Sequence, residues 1–284
     1  MLTVRANAKI NWALAVTGRR SDGYHELDML TQSVSLHDTL TFEAADELSF
    51  SIDGGPAEWS EDNLVCRAAS LLKRTSGITG GAHITLVKRI PAMAGLGGGS
   101  ADGAAALRAL NRLWNLRLPA EELRRLGLSL GADFPFCLTG GLQRVRGIGE
   151  RLAALPAPPS PGLVLIMPDG GLSTGAVFGC LDQHSTNRRA DHGAASDALC
   201  AGDYARLDKL AFNDLTASAQ ALSPAVSLAL EDLRAAGSPF VRMSGSGSCC
   251  FGVFDDPIAA CERLRPRWPA IWLTDTCSDG VEFE

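Results

Sequence analysis

A glycine-rich segment between a strand pattern and a helix pattern constrains this chain more than any other feature of its sequence. The segment, residues 91–100, has the sequence PAMAGLGGGS. Residues 82–91 have the apolar pattern of a strand, and Leu107, Leu110 and Trp114 lie at helical spacing after the glycines. Glycine lets a backbone turn tightly and approach a ligand, and a helix that begins directly afterwards offers unpaired N–H groups to an anion. The segment therefore predicts a phosphate-binding loop that suits a triphosphate.

Two familiar phosphate loops have a different pattern. A P-loop has lysine before its serine or threonine, whereas here Gly99 precedes Ser100. The dinucleotide fingerprint needs a third glycine where this chain has Ser100. A flexible linker is the remaining alternative, and the strand and helix patterns on either side argue against it. We expect Ser100 to cap the helix predicted over residues 101–114, or to place its hydroxyl against phosphates or a metal ion.

A second glycine-serine loop, residues 244–248, lies between two apolar runs that predict strands. Taken alone, it is equally compatible with a bare hairpin turn. Two such loops in one chain favour a shared anion site over two coincidences.

The net charge of −6 argues against a general nucleic-acid-binding protein, because affinity for a phosphate backbone needs a basic face. The eight cysteines are scattered, without the C-x-x-C pairs or histidine spacing of a zinc site, and several lie in apolar runs. Arg5 and Lys9 interrupt the first apolar stretch, and no uncharged run is long enough to cross a bilayer. We expect a reduced, cytoplasmic protein that binds neither nucleic acid nor membrane.

Several strand patterns precede the first helix pattern, and helix patterns dominate from the strand pattern at residues 162–168 up to residue 237, which predicts an α+β protein. Residues 155–162 contain four prolines and are the best candidate for a linker. We therefore expect two domains, residues 1–156 and 162–284. In the first strand, alternation places Ala8, Ile10, Trp12 and Leu14 on one face and Lys9 with Asn11 on the other.

Lys9, Asn11 and Asp133 are candidates for chemistry. A solvated sheet face would explain Lys9 and Asn11, and a turn or capping aspartate ahead of Pro135 would explain Asp133. Together, Lys9 and Asp133 suit phosphoryl transfer, because an aspartate can accept the proton of an attacking hydroxyl and a lysine can stabilise the developing charge. Tyr24 and His25 could form an aromatic, hydrogen-bonding patch for a base, although a surface turn explains them equally well.

Three ordered motifs of this chain resemble those of the GHMP kinases, a superfamily that includes galactokinase, homoserine kinase and mevalonate kinase. They are residues 8–11 (AKIN), residues 90–100 and residues 243–248 (MSGSGS). Residues 18–25 (GRRSDGYH), 61–64 (EDNL) and 130–135 (LGADFP) resemble, more narrowly, the family of kinases that phosphorylate the 2-hydroxyl of 4-diphosphocytidyl-2-C-methyl-D-erythritol in non-mevalonate isoprenoid biosynthesis.

The resemblance implies an ATP- and Mg²⁺-dependent kinase acting on that small molecule. It also implies an N-terminal domain like ribosomal protein S5 domain 2, a ferredoxin-like C-terminal domain and an active site in the cleft between them. Lys9 and Asp133 would be catalytic, and Ser100 a possible metal contact. The implied substrate-binding residues are Asn11, Tyr24, His25, Thr174 and Phe178. The implied ATP-binding residues are Asn63, Lys88, Pro91, Met93, Ala94, Gly95, Leu96, Gly97, Gly98, Gly99 and Ser100.

Other interpretations remain open. The chain could be a GHMP kinase that acts on homoserine, mevalonate or a sugar. It could also be a relative with the same fold that does not catalyse phosphorylation, or a nucleotide-binding module without turnover. It departs from the family pattern at Met93 and Ala94 in the loop, at Ala101 after it, and at Ser246 and Ser248.

Overall fold

The computed structural model describes residues 1–159, 162–168, 170–181 and 191–284. In this part of the chain the strands form two sheets, one of eight strands and one of four. The strands of the first sheet are β1 (Leu2–Arg19), β2 (His25–Ala45), β3 (Ser49–Ile52), β4 (Gly55–Ala57), β5 (Gly81–Val87), β6 (Leu142–Gly147), β7 (Arg151–Ala154) and β12 (Val281–Phe283). The second contains β8 (Gly162–Ile166), β9 (Val241–Met243), β10 (Cys250–Phe254) and β11 (Ile271–Thr274).

The helices in the first half of the chain are α1 (Leu64–Ser76), α2 (Gly98–Leu113), α3 (Ala120–Leu128) and α4 (Phe134–Thr139). Those in the second half are α5 (Thr174–Leu181), α6 (His192–Cys200), α7 (Tyr204–Leu210), α8 (Thr216–Leu222), α9 (Ala225–Ala235) and α10 (Pro257–Leu264). In the described part of the chain no helix is both long and apolar enough to span a bilayer. None of the eight cysteines, each of which the structure describes, is part of a disulfide bond.

The first sheet is built on a long antiparallel pair, β1 and β2. The other edge of β2 pairs with β6 along Leu27–Gln32 and with β5 along Thr39–Ala45. β3 then runs parallel to β5, and β12 pairs with β1. The alanine-rich face of α2 is fully buried and packs on β1 and β2, so the glycine loop before α2 lies close to the first strand.

A β-bulge in β1 corrects the predicted alternation. The pairing of Asn11 with Thr31 is followed by that of Ala13 with Leu30, so one extra residue of β1 lies between them. An extra residue reverses which face the following side chains occupy. Leu14 therefore lies with Lys9 and Asn11, not with Ile10 and Trp12 as predicted.

The second sheet has the ferredoxin-like arrangement that the resemblance implies. Its spatial order is β11-β8-β10-β9. If the strands are numbered 1 to 4 along the chain, they lie side by side in the order 4-1-3-2. Every neighbouring pair is antiparallel. The predicted strand, turn and strand around residues 244–248 is confirmed as β9 and β10.

The division into domains at residues 1–156 and 162–284 stays a prediction. β8 does begin a separate sheet at Gly162. The last strand, β12, returns to the first sheet, however, and Thr276 forms an isolated bridge with Val34 there. The C-terminal residues therefore belong structurally with the first half of the chain.

Two boundaries differ from the predictions. The strand expected to reach Pro91 ends at Val87, because the Asp38 side chain accepts the backbone N–H groups of Arg89 and Ile90 in place of a neighbouring strand. The helix expected from Ala101 begins at Gly98.

Candidate active site

A cavity of about 750 Å³ lies between the first sheet, the glycine loop and the start of α5. This volume is in the range of small-molecule sites. Most of the residues singled out from the sequence line it. They are Lys9, Asn11, Asn63, Lys88, Pro91, Met93, Ala94, Gly95, Leu96, Gly97, Gly98, Gly99, Ser100, Asp133, Thr174 and Phe178.

Lys9 and Asn11 project from β1 into this cavity and are almost completely buried, with exposures of 5% and 1%. Lys9 Nζ donates to Asn11 Oδ1 at 2.7 Å, and Asn11 Nδ2 donates to Thr31 Oγ1 at 3.0 Å. The alternative of a solvated sheet face is therefore wrong. The amide of Asn11 fixes the lysine ammonium, and Thr31 fixes the amide.

Asp133 occupies the position before α4 where a capping residue would lie. Among the described residues its side chain makes no capping hydrogen bond, and it lines the cavity instead. The capping alternative for Asp133 is therefore wrong.

Lys9 and Asp133 both lie beside Gly97. A Cβ atom built on Gly97 would lie 3.3 Å from Lys9 Cε and 3.8 Å from Asp133 Oδ2. In the described part of the chain the two side chains form no direct ion pair. Both side chains therefore line the cavity beside Gly97 without being paired with each other.

The two glycine loops are in direct contact, as expected for a shared site. A Cβ on Gly95 would lie 2.0 Å from Ser244 O, so only glycine fits there. The Ser244 hydroxyl donates to Gly95 O at 2.9 Å and accepts the backbone N–H of Asn11 at 3.3 Å. Cys249 N–H donates to Ala94 O at 3.1 Å.

The start of α2 corrects the role expected of Ser100. The capping position is held by Gly97, in the left-handed region with φ of 70°, and Ser100 is the third residue of the helix. Ser100 is therefore not the cap. Its side chain lines the cavity, and the first N–H groups of α2, which have no partner within the helix, begin at Gly98.

Lys88 lies between two buried carboxylates, and no sequence pattern predicts that they pair with it. Its Nζ is 2.5 Å from Asp38 Oδ2 and 2.8 Å from Asp102 Oδ2. Asp38 Oδ1 also accepts the N–H groups of Arg89 and Ile90, at 2.5 and 2.8 Å. This cluster ties the end of β5 to the start of α2, on either side of the glycine loop.

Burial raises the pKa of the Asp102 carboxyl well above its ordinary value, although the Lys88 ammonium acts in the opposite direction. Burial also disfavours the charged form of Lys88, but the ion pairs with Asp102 and Asp38 outweigh this effect and raise the pKa of Lys88. Lys88 therefore remains charged at neutral pH.

Tyr24 and His25 do not line the cavity. Tyr24 lies in a turn and is 60% exposed. His25 begins β2 and stacks on Phe178, with ring centroids 4.7 Å apart. Thr174 Oγ1 and Ser246 Oγ are hydrogen-bonded at 2.9 Å. The structure thus brings His25, but not Tyr24, against a residue that lines the cavity.

Asn213 was missed from the sequence. It is buried, and its Nδ2 donates to Met243 O at 2.9 Å and to Gly245 O at 2.8 Å, which fixes the second glycine loop. It lies in an ordinary run, residues 210–215, where no motif marks it.

Comparison with known proteins agrees with this geometry. The family model described as GHMP kinases N terminal domain matches residues 63–141, and GHMP kinases C terminal matches residues 195–269. A protein of Desulfitobacterium hafniense named 4-diphosphocytidyl-2-C-methyl-D-erythritol kinase is 41% identical over 281 residues, which cover 97% of this chain and 96% of that protein. A protein of Granulibacter bethesdensis with the same name is 45% identical over 268 residues, covering 90% and 86%.

The chain belongs to the 4-diphosphocytidyl-2-C-methyl-D-erythritol kinase family. A crystal structure of 4-(cytidine 5'-diphospho)-2C-methyl-D-erythritol kinase superposes with a TM-score of 0.82 at 36% identity, covering 96% of this chain and 98% of that one. A homoserine kinase from Cytophaga hutchinsonii superposes with a TM-score of 0.78 at 20% identity over 100% and 97% of the two chains, which shows a shared fold. As a member of this GHMP kinase family, the chain is a kinase with ATP as a substrate and a small molecule as the acceptor.

Proposed function

We propose that the chain transfers the γ-phosphoryl group of ATP to the 2-hydroxyl of 4-diphosphocytidyl-2-C-methyl-D-erythritol, giving the 2-phosphate, in non-mevalonate isoprenoid biosynthesis. Membership of the family supports this acceptor. The observation that carries the proposal is the meeting of Lys9 and Asp133 at Gly97, inside a cavity lined by the glycine loop.

Asp133 accepts the proton of the 2-hydroxyl as its oxygen forms a bond to the γ-phosphorus. The bond from the γ-phosphorus to the bridging oxygen breaks, and ADP leaves with that electron pair. Lys9, held by Asn11 at 2.7 Å, stabilises negative charge on the transferring group. Because Lys9 and Asp133 lie beside the same residue, Gly97, one can act on the phosphoryl group while the other acts on the hydroxyl.

The phosphates of ATP lie along residues 95–100, where glycine backbone can approach them and the first N–H groups of α2 face an anion. Lys88 and Asn63 line the same cavity and contact the rest of the nucleotide. Asn63 has its Oδ1 occupied by the N–H of Val65, so its amide nitrogen is the group that it offers.

Magnesium is the proposed metal cofactor, supplying positive charge to the phosphates. Among the described residues no group of three or more His, Cys, Asp or Glu side chains could hold a metal ion. A small, hard cation that keeps several waters and binds through phosphates suits such a site. The Ser100 hydroxyl, which lines the cavity and does not cap α2, is the proposed protein contact.

The cytidine is proposed to lie near His25, Phe178 and Thr174, with Tyr24 stacking on the base. The stacked pair of His25 and Phe178 joins the first sheet to α5 beside the cavity, which supports this placement. The exposed ring of Tyr24 offers an apolar face to a ligand.

The test is ADP release from ATP and Mg²⁺ with 4-diphosphocytidyl-2-C-methyl-D-erythritol, mevalonate, homoserine or galactose as the acceptor. We expect turnover only with the first. A preference for any other alcohol would overturn the proposed acceptor while leaving the chain a GHMP kinase.

Asp133→Ala should lower kcat by about 100-fold or more, because a positioned base contributes about 10²–10⁴-fold. ATP affinity should change little. Asp46→Ala, at an exposed turn after β2, is the matched control and should leave kcat unchanged. Normal turnover in Asp133→Ala would refute the role of the base.

Tyr24→Ala should raise the KM for the cytidylated acceptor by at least about fivefold, since stacking of a base on an aromatic ring contributes about 1–3 kcal/mol. The KM for ATP should not change, and Tyr24→Phe, which keeps the ring, should behave as wild type. An unchanged acceptor KM in Tyr24→Ala would remove Tyr24 from the site.

A further inference from the structure

Residues 170–172, here called the bridging segment, are hydrogen-bonded to both glycine loops. Leu172 N–H donates to Met93 O at 3.1 Å, in the first loop. Gly170 O accepts the hydroxyl of Ser248 at 2.8 Å, at the end of the second loop. The bridging segment thus belongs to the second half of the chain but holds the phosphate loop of the first half.

The middle residue of the bridging segment, Gly171, touches the first loop directly. A Cβ built on Gly171 would lie 2.3 Å from Met93 Cβ, 2.9 Å from Met93 O and 3.2 Å from Ala92 O. The backbone of Gly171 is outside the left-handed region, so conformation does not require glycine there. The closeness of the loop alone excludes a side chain.

The first loop cannot easily move away from Gly171. On its other side Gly95 lies against the second loop, where a Cβ on Gly95 would be 2.0 Å from Ser244 O. Met93 itself has a φ of 55°, a conformation in which non-glycine residues are uncommon, so its backbone is held by its surroundings. The first loop therefore contacts the bridging segment at Met93 and the second loop at Gly95, and both contacts restrict its movement.

We propose that Gly171 is a positioning residue for the phosphate loop. It lets the bridging segment pack against Met93, and this contact sets where Gly95 and Gly97 present their backbone to the phosphates of ATP. The inference rests on the proposed function of that loop. It assigns to the second half of the chain a part in ATP binding that acts through Met93 and not through contact with ATP.

The test compares Gly171→Ala with Gly179→Ala. Gly179 lies in α5, has no described atom within 4 Å of a built Cβ, and has an ordinary φ, so its substitution is a matched control. In Gly171→Ala we expect kcat/KM for ATP to fall by about 10- to 100-fold, because a displacement on the order of 1 Å can cost that much. The KM for ATP should rise more than the KM for the acceptor. Gly179→Ala should match wild type.

Binding of ADP and ATP, measured without the acceptor, should weaken in Gly171→Ala and not in Gly179→Ala. Unchanged nucleotide binding in Gly171→Ala, or an increase confined to the acceptor KM, would overturn the inference. A wild-type protein that bound no ATP would overturn the proposed function as well, so the two failures are distinguishable.

Met93→Gly provides a second-site test that does not depend on the folding of Gly171→Ala alone. It removes the atom nearest to the added methyl group, at a backbone conformation that glycine adopts readily. Adding Gly171→Ala to Met93→Gly should cost several-fold less in kcat/KM for ATP than adding it to wild type. Equal costs in the two backgrounds would show that the contact with Met93 is not the cause.

Discussion

Lys9 and Lys88 line the same cavity, but their charges are held differently. Lys88 forms ion pairs with Asp38 and Asp102, both buried, and a quarter of its side chain is exposed. Lys9 is more deeply buried and donates to the neutral amide of Asn11. In the described part of the chain no carboxylate forms an ion pair with Lys9.

From this difference we propose a structural role for Lys88 and a catalytic role for Lys9. Two carboxylates compensate the charge of Lys88, so this lysine mainly joins β5 to α2 around the glycine loop. Lys9 has no ion-pair partner among the described residues, and burying a charge without such a partner is unfavourable. We propose that the phosphate of a bound substrate supplies this partner, so that Lys9 is the lysine that acts on the substrate.

The largest expected effect is on turnover in Lys9→Met. Removing one preorganised positive group from a transferring phosphoryl group should lower kcat by about 10²–10³-fold, or about 2.7–4 kcal/mol. The free energy of unfolding should change by only about 1 kcal/mol, because one hydrogen bond to a neutral amide is lost. Steady-state ADP release and urea unfolding measure the two quantities.

The proposed catalytic role of Lys9 is refuted if Lys9→Met has a lower free energy of unfolding than Lys88→Met. It is also refuted if the kcat of Lys9→Met stays within about threefold of wild type. Either result would make Lys9 a structural residue.

Lys88→Met should affect the free energy of unfolding more than it affects turnover, the opposite of Lys9→Met. It leaves Asp38 and Asp102 facing each other without a cation, and removing one partner of a buried pair costs up to about 3–5 kcal/mol. We expect a loss of about 2–3 kcal/mol in the free energy of unfolding, since Lys88 is partly exposed. Urea midpoints of the Lys9→Met and Lys88→Met proteins give the comparison directly. Equal urea midpoints for the two variants would contradict the structural role of Lys88.

The smallest expected effect is a pH dependence from Asp102. Burial raises the pKa of this carboxyl in the fold, whereas an unfolded aspartate titrates near about 3.9. The folded state therefore binds the proton more tightly, and the resulting stability is present below about pH 3.9 and is lost as pH rises through the folded pKa. Asp102→Asn does not titrate, so its stability relative to wild type should increase as pH rises from about 3.9 through the folded pKa of Asp102.

Urea unfolding of both proteins across that range measures this difference, with Asp46→Asn as the control at an exposed carboxylate. A difference that stayed constant with pH would show that Asp102 has the same proton affinity in the folded and unfolded chain.

The sequence was most informative where a function depends on contiguous residues. The strand, glycine loop and helix of residues 81–113 could be predicted because their sequence signals are all local. Lys9 and Asp133 could be predicted as a pair from the chemistry of phosphoryl transfer and from resemblance. Their burial, and the geometry at Gly97, came only from the structure.

The cluster around Lys88 could not be predicted, because its members are distant in the chain. Asp38 is 50 residues before Lys88, and Asp102 is 14 residues after it. Pairing of β2 with β5 brings the first of them near, and packing of α2 on the sheet brings the second. The prediction for Leu14 was wrong about the face of β1 on which this residue lies. The bulge adds one residue to β1, and hydrophobic alternation in the sequence does not reveal it.

The return of β12 to the first sheet has a consequence for how the protein is made. Val4–Ala6 of the first strand pair with Val281–Phe283, the last strand of the described chain. During synthesis this edge of β1 stays open until residues 281–283 have left the ribosome. Such an open edge is a template for pairing with other chains. The nascent protein therefore exposes residues 4–6 of β1, just before Lys9, to pairing with other chains.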